Sequence, residues 1–225
     1  MSVMNKDVIL ICGYRRTGKD TLIKIINNDH PKDDCLNHWL IYSSLNNSTP
    51  FLDCYYNHES FAKALKIEAS EIYNIPLDID DSLKDTPMFK DPFSNKHLLC
   101  SLQDERSSST NNIISARDAY ITWGTHRRSQ NINYWCEKVS NNINGLPTVV
   151  TDWRFSNEYD YINKYHPTIT LRVFRSDVPI PSYDIPTEHE LDNFLTDYLL
   201  ITKDSYEKAM ECFPQYHSYV MIGYI

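Results

Sequence analysis

An unbroken apolar run, Val8 to Cys12, leads directly into Gly13-Tyr14-Arg15-Arg16-Thr17-Gly18-Lys19-Asp20-Thr21, and Leu22 to Ile26 follow at once with a helical apolar pattern. A run with no polar alternation reads as a strand buried on both faces, the kind found inside a parallel sheet. Only five glycines occur in the 225 residues, so two of them bracketing four residues ahead of a lysine is a feature of this segment and not of the composition. Strand, tight turn and helix start in this order make a phosphate-holding loop. The chain thereby points to an α/β fold that binds a nucleoside triphosphate.

The residue types have physical reasons. Glycine permits positive φ and lets backbone N–H groups approach an anion closely, while the next helix aims its positive end at the same place. Lys19 adds a full charge for the β and γ phosphates of a nucleoside triphosphate. The expected ATP-binding set is Gly13, Arg15, Arg16, Thr17, Gly18, Lys19, Asp20 and Thr21. One position departs from the usual pattern, since Asp20 stands where a Ser or Thr ordinarily follows the lysine. A carboxylate beside a triphosphate is tolerable if it points away or shares a magnesium ion. Asp20, Thr21 and Asp152 are the expected Mg2+ ligands.

A chain of this length suits one α/β domain spanning residues 1–225, with mobile acceptor-binding and lid segments. Its net charge of −8 excludes a protein that grips a nucleic-acid backbone by bulk electrostatics, because such binding needs a basic face. Apolar runs are too short to span a bilayer and the first residues lack the pattern of a secretory signal, so the expectation is a cytoplasmic protein with small-molecule nucleotide partners and no membrane. Six cysteines without a C-x-x-C pair read as reduced thiols, with Cys12 in the core. Monomer and homodimer both stay open.

Further along, Phe61, Leu65 and Ala69 share one face of an amphipathic helix started by Ser60. The stretch from Pro76 to Asn112 loses periodicity and predicts long loops or an insert. A helix from about Ile113 to Trp123 is expected to stop at Gly124, and another to run from about Asn133 to Asn141. Leu146 to Thr151 reads as a buried strand delivering Asp152 and Arg154 at its carboxyl end, and Thr168 to Phe174 as a third ending at Arg175. Strands alternating with helices predict a doubly wound parallel sheet, which binds ligands at those strand ends.

Three arginines, Arg117, Arg127 and Arg128, cluster around Gly124 and Thr125, and arginine forks suit phosphate oxygens. Trp135 is either core or a flat face for a base. The segment Thr187 to Phe194 mixes acid and imidazole without zinc-ligand spacing.

Taken together, these segments resemble the deoxynucleoside monophosphate kinases of tailed bacteriophages and, more distantly, the animal-type phosphomevalonate kinases. The resemblance is carried by Gly13 to Thr21 with its G-K-D-T ending, Phe61 to Lys66, Arg117 to Trp135, Thr151 to Glu158, Leu171 to Arg175 and Glu188 to Phe194. It implies a P-loop NTPase with a nucleoside-monophosphate-kinase-like fold that uses ATP and Mg2+. By the same resemblance Lys66, Arg117, Gly124, Thr125 and Trp135 face the monophosphate acceptor. Lys19, Arg128, Asp152 and Arg154 carry the transfer, and Arg175 lies on the ATP side. The usual Asn after the later D-x-x-I strand is replaced by Thr202, and Pro76 to Asn112 matches no family segment. Trp135 and Thr125, where phosphomevalonate kinases carry Phe and Glu, favour a deoxynucleoside monophosphate; Leu191 to Phe194 looks like the other family. A nucleotide-binding module without kinase activity is the third reading.

Overall fold

The computed structural model describes residues 8–27, 39–44, 55–93 and 113–224. Cys35, Cys54, Cys100 and the part of the Pro76–Asn112 stretch beyond Phe93 lie outside them. The chain divides into two compact units, Met1–Ser60 with Val139–Ile225, and Phe61–Lys138.

In the first unit β1 (Val8–Cys12) is fully buried and ends in the glycine loop, after which α1 (Lys19–Ile26) begins. β1 lies between β6 (Thr148–Val150) and β7 (Thr168–Phe174), parallel to both, with Val8 opposite Thr148 on one side and Thr168 on the other. β3 (Asn57–Glu59) extends the parallel sheet beyond β6, and β8 (Tyr198–Thr202) extends it beyond β7. β2 (Trp39–Ser43) and β9 (Val220–Tyr224) complete one end, β2 antiparallel to both β8 and β9. The order is β3-β6-β1-β7-β8-β2-β9. This is an α/β fold whose mostly parallel central sheet is flanked by helices.

Alternation along the strands builds two cores. Ile9, Ile11, Ile169, Leu171, Val173 and Leu200 point to one face, where they meet Leu22, Ile23, Ile25 and Ile26 of α1. Leu40, Phe174, Leu199 and Ile201 point to the other, against Ala209 and Met210 of α7 (Tyr206–Cys212) and against Phe213 and Tyr216. Each fully buried Val, Leu or Ile contributes about 1.5–3 kcal/mol, so the sheet rather than any single helix carries the stability. α5 (Ser156–Tyr165) follows β6, and the short α6 (Pro186–His189) lies between β7 and β8. Cys12 is in the core, as the sequence predicts.

The second unit contains α2 (Phe61–Tyr73), a two-stranded antiparallel pair of β4 (Pro87–Lys90) and β5 (Ile113–Ser115), α3 (Ala116–Gln130) and the first turns of α4 (Tyr134–Asn142). Two boundaries differ from the sequence reading. Ile113–Ser115 is a strand, and α3 starts after it because the Ser115 hydroxyl accepts from the Asp118 N–H at 3.1 Å. α3 also runs through Gly124. That glycine is buried, and a Cβ there would stand 3.4 Å from Leu65 Cδ2, so it serves close packing of α3 on α2 rather than termination. The helix ends at Asn131, whose backbone is extended and whose side chain bonds Glu137 and the Asn133 N–H. Among the described residues no helix is long and apolar enough to cross a membrane.

Candidate functional site

Because β1, β6 and β7 are parallel and adjacent, their carboxyl ends meet at one edge of the sheet. β1 lies between two parallel strands, and open α/β sheets bind ligands outside the carboxyl ends of such strands. Gly13 to Thr21, Asp152 with Arg154, and Arg175 all follow these three ends.

Gly13 takes φ +145°, and a Cβ there would come within 2.4 Å of the Val173 carbonyl oxygen on β7. No other residue fits. Gly18 takes φ +90° as the residue capping α1, and Arg16, between them, is held in the left-handed region at φ 69°. A non-glycine residue there costs on the order of 1–3 kcal/mol, supplied by the surrounding packing. Thr17 is wholly buried and donates its hydroxyl to the Tyr14 carbonyl at 2.9 Å, which closes the turn from inside. Lys19 folds back over the loop, its Nζ donating to the Gly13 and Tyr14 carbonyls at 2.7 and 2.8 Å. Burial lowers the Lys19 pKa, and the nearby Arg154 charge lowers it further; Glu188 and Asp20 oppose both.

Asp20 is exposed in the first turn of α1, where the helix dipole favours a carboxylate. Its Oδ1 accepts from the Thr151 hydroxyl at 2.9 Å, and Thr151 Oγ1 lies 2.8 Å from His58 Nε2. In the common arrangement of phosphate-loop enzymes the hydroxyl is on the loop and the carboxylate on the strand end. In this chain the Asp20 carboxylate follows the glycine loop and the Thr151 hydroxyl ends the strand, with the Asp152 carboxylate next to it. Asp152 follows Thr151, partly buried, and Thr21 is exposed beside Asp20. Among the described residues no group of three or more His, Cys, Asp or Glu could hold a metal ion. Mg2+ takes one or two protein carboxylates and completes its shell with water and phosphate oxygens, so the oxygen donors of Asp20, Thr21 and Asp152 suit it.

The segment after β7 forms the far wall. Glu188 accepts from the Arg15 backbone N–H at 3.1 Å with one oxygen and from Arg154 Nη1 at 2.6 Å with the other. Tyr14 donates its hydroxyl to the Asp192 carboxylate at 3.1 Å. Beneath them Arg172 on β7 is 2% exposed and pairs in register with Cys12. Its guanidinium donates to the Leu191 and Phe194 carbonyls and to Tyr216 Oη, and it lies 4.5 Å over the Phe213 ring. Burial works against that charge, yet the Cys12 and Tyr216 environment holds its pKa above the ordinary arginine value. Arg172 thus anchors the turn that presents Glu188. A cavity of about 20 Å3 lies among Gly13, Tyr14, Arg154, Arg172 and Glu188. The Cys12 thiol borders it, but burial raises its pKa and keeps it protonated. The turn after β6 is fixed by buried Glu158, which accepts from the Arg154 and Phe155 N–H groups at 2.9 and 3.1 Å.

Arg175 is paired in a fork with Asp177. Lys66, Arg117, Gly124, Thr125, Arg128 and Trp135 all belong to the second unit. Lys66 and Arg128 are partly buried, Thr125 is exposed, and Arg117 is tied to Asp85. Trp135 is 2% exposed, stands edge-on to Tyr134 with centroids 4.9 Å apart, and points its Nε1 at the Gly124 carbonyl at 3.4 Å. Near it Glu68 accepts from Trp123 Nε1, Arg127 Nε and Tyr134 Oη at 3.1, 3.2 and 2.5 Å. Burial raises the Glu68 pKa, but these hydrogen bonds and the Lys138 and Arg127 charges bring it below the usual carboxylate value.

Thr151, His58, Glu188 and Arg172 are site residues that the sequence reading does not assign. Thr151 has a signal, a hydroxyl immediately before Asp152 in a chain whose loop carries Asp20 in place of a hydroxyl. His58 has none, since β3 reaches β6 only through the fold. Compared with protein-family models and with curated proteins, the chain matches none.

Proposed function

We propose that this chain is a P-loop kinase of the nucleoside-monophosphate-kinase-like fold, transferring the γ-phosphoryl group of ATP to a deoxynucleoside 5′-monophosphate. One observation carries the reading. A lysine clamped over the carbonyls of a glycine-bracketed turn, at the carboxyl end of a strand inside a mostly parallel sheet, stands beside a carboxylate held by a strand-end hydroxyl.

In phosphoryl transfer the protein mainly positions the reactants and neutralises charge. The backbone N–H groups from Gly13 to Lys19 and the start of α1 face the triphosphate, and Lys19 tracks its β and γ groups. Arg154 and Arg128 stabilise charge on the transferring group, and Arg175 serves the ATP side after leaving Asp177. Asp20, Thr21 and Asp152 would hold Mg2+, which when bound would screen the phosphate oxygens. Lys66, Arg117, Gly124 and Thr125 take the acceptor. The segment from Thr187 to Asp192 excludes water from the loop.

The burial of Trp135 favours a second reading. A buried indole gives no platform to a base, which removes one reason to prefer a nucleotide over mevalonate 5-phosphate. A coupled ADP-release assay with the four deoxynucleoside monophosphates and mevalonate 5-phosphate, side by side, decides. The expected result is turnover with one or more nucleotides; turnover with mevalonate 5-phosphate alone overturns the proposal, and ATP binding without transfer to any acceptor leaves a nucleotide-binding module.

A further inference from the structure

His58 lies on β3, where the parallel register sets it opposite Val149 and brings it beside the residue that follows β6. Its Nε2 is 2.8 Å from Thr151 Oγ1, which is 2.9 Å from Asp20 Oδ1. Proton counting fixes the direction of this chain. An ionised carboxylate only accepts, so the single Thr151 hydroxyl proton is directed to Asp20. Toward His58 the same oxygen can then only accept, and Nε2 must carry a hydrogen. Thr151 is 2% exposed, so its hydroxyl is confined to these two partners.

We propose that His58 is a positioning residue for Asp20: it orients the Thr151 hydroxyl, which in turn holds one carboxylate oxygen and sets how the other meets a divalent cation. The inference rests on the kinase reading only for its cation. The imidazole donates from Nε2 whether neutral or protonated, so the arrangement works independently of its charge. Thr151 fills the outer place that in other metal sites orients a ligand and is worth about 10–100-fold in metal affinity, and His58 fixes its hydroxyl from one step further out. An edge-strand histidine thereby becomes part of the apparatus at the centre of the sheet.

Three measurements test it. In protein labelled with 15N-histidine, long-range imidazole correlations are expected to show the neutral His58 ring as the Nε2-protonated tautomer, and Thr151→Val is expected to relax that preference. An Nδ1-protonated ring with a bare Nε2 overturns the proposal. In the kinase assay His58→Ala is expected to raise the Mg2+ concentration for half-maximal rate about tenfold at unchanged saturating rate. His58→Gln, which keeps a donor at similar reach, is expected to restore it, and adding Thr151→Val to His58→Ala to have little further effect. Manganese binding in the presence of ADP, read by electron paramagnetic resonance, should weaken in His58→Ala by the same factor without turnover. Unchanged manganese affinity in a folded His58→Ala protein, alongside weakened binding in Thr151→Val, sinks the role of His58. Absence of any transfer with the tautomer and manganese results as expected defeats the kinase reading and leaves the positioning role standing.

Discussion

Glu188 spans two donors, the guanidinium of Arg154 at 2.6 Å and the backbone N–H of Arg15 at 3.1 Å. Under the proposed function its carboxylate takes groups that a phosphate would use, and the two compete. Glu188→Gln should raise affinity for ATP or inorganic pyrophosphate by about three- to tenfold, since charge-assisted bonds of this kind are the strong ones. Arg154→Ala should lower it. Isothermal titration measures both; weaker pyrophosphate binding in Glu188→Gln would mean that the acid helps to hold the ligand instead.

Lys19→Met keeps the side-chain length and removes both the charge and the two carbonyl contacts. Turnover is expected to fall by on the order of a thousandfold or more, with the melting temperature little changed. Near-normal turnover in a folded protein would reduce the loop to a structural turn.

Trp135 is among the largest fully buried side chains. Trp135→Ala should cost about 3–5 kcal/mol in a urea unfolding curve, the range for emptying a large aromatic from a core. Trp135→Phe should lose much less. A variant that unfolds at the wild-type midpoint would show the indole to be dispensable to packing.

His189 titrates with a sign that can be worked out. Burial lowers its pKa, but the Asp192 carboxylate at 2.7 Å and the Pro181 carbonyl at 3.1 Å outweigh burial, and the folded value lies above the ordinary 6.5. A raised folded pKa gives stability that is complete below the unfolded value and is lost as pH rises through the folded one. The melting temperature should therefore fall as pH rises from about 6.5 across the histidine range, and His189→Gln should flatten that slope. A slope unchanged in the variant would assign it to other groups.

The strands that carry the site were legible because their signal is local. Val8 to Cys12 is an unbroken apolar run and Thr168 to Phe174 an apolar and β-branched run interrupted only by Arg172, and they are β1 and β7 residue for residue. β2 and β9 were not, since the mixed run Trp39 to Ser43 is buried only by lying between β8 and β9, and Val220 and Met221 of β9 stay exposed. Gly124 misled for the opposite reason: a glycine needed for contact with Leu65 carries the same letter as one needed to end a helix. At the site, the loop was readable from spacing, whereas the acid that occupies it comes from Glu188, far along the chain. A hydrogen bond across so many residues leaves no mark on either segment.

The sheet order also says something about how the protein can be made. Val8 has no neighbour until Thr148 and Thr168 exist, and Leu40 none until Ile201 and Tyr224 do. During synthesis the first two strands of the sheet must therefore stay unpaired while Phe61–Lys138, whose described helices and strand pair are joined by local contacts, is made. The unit whose first strand is made earliest is the one completed last, because its central strand pairs only with strands made long after it.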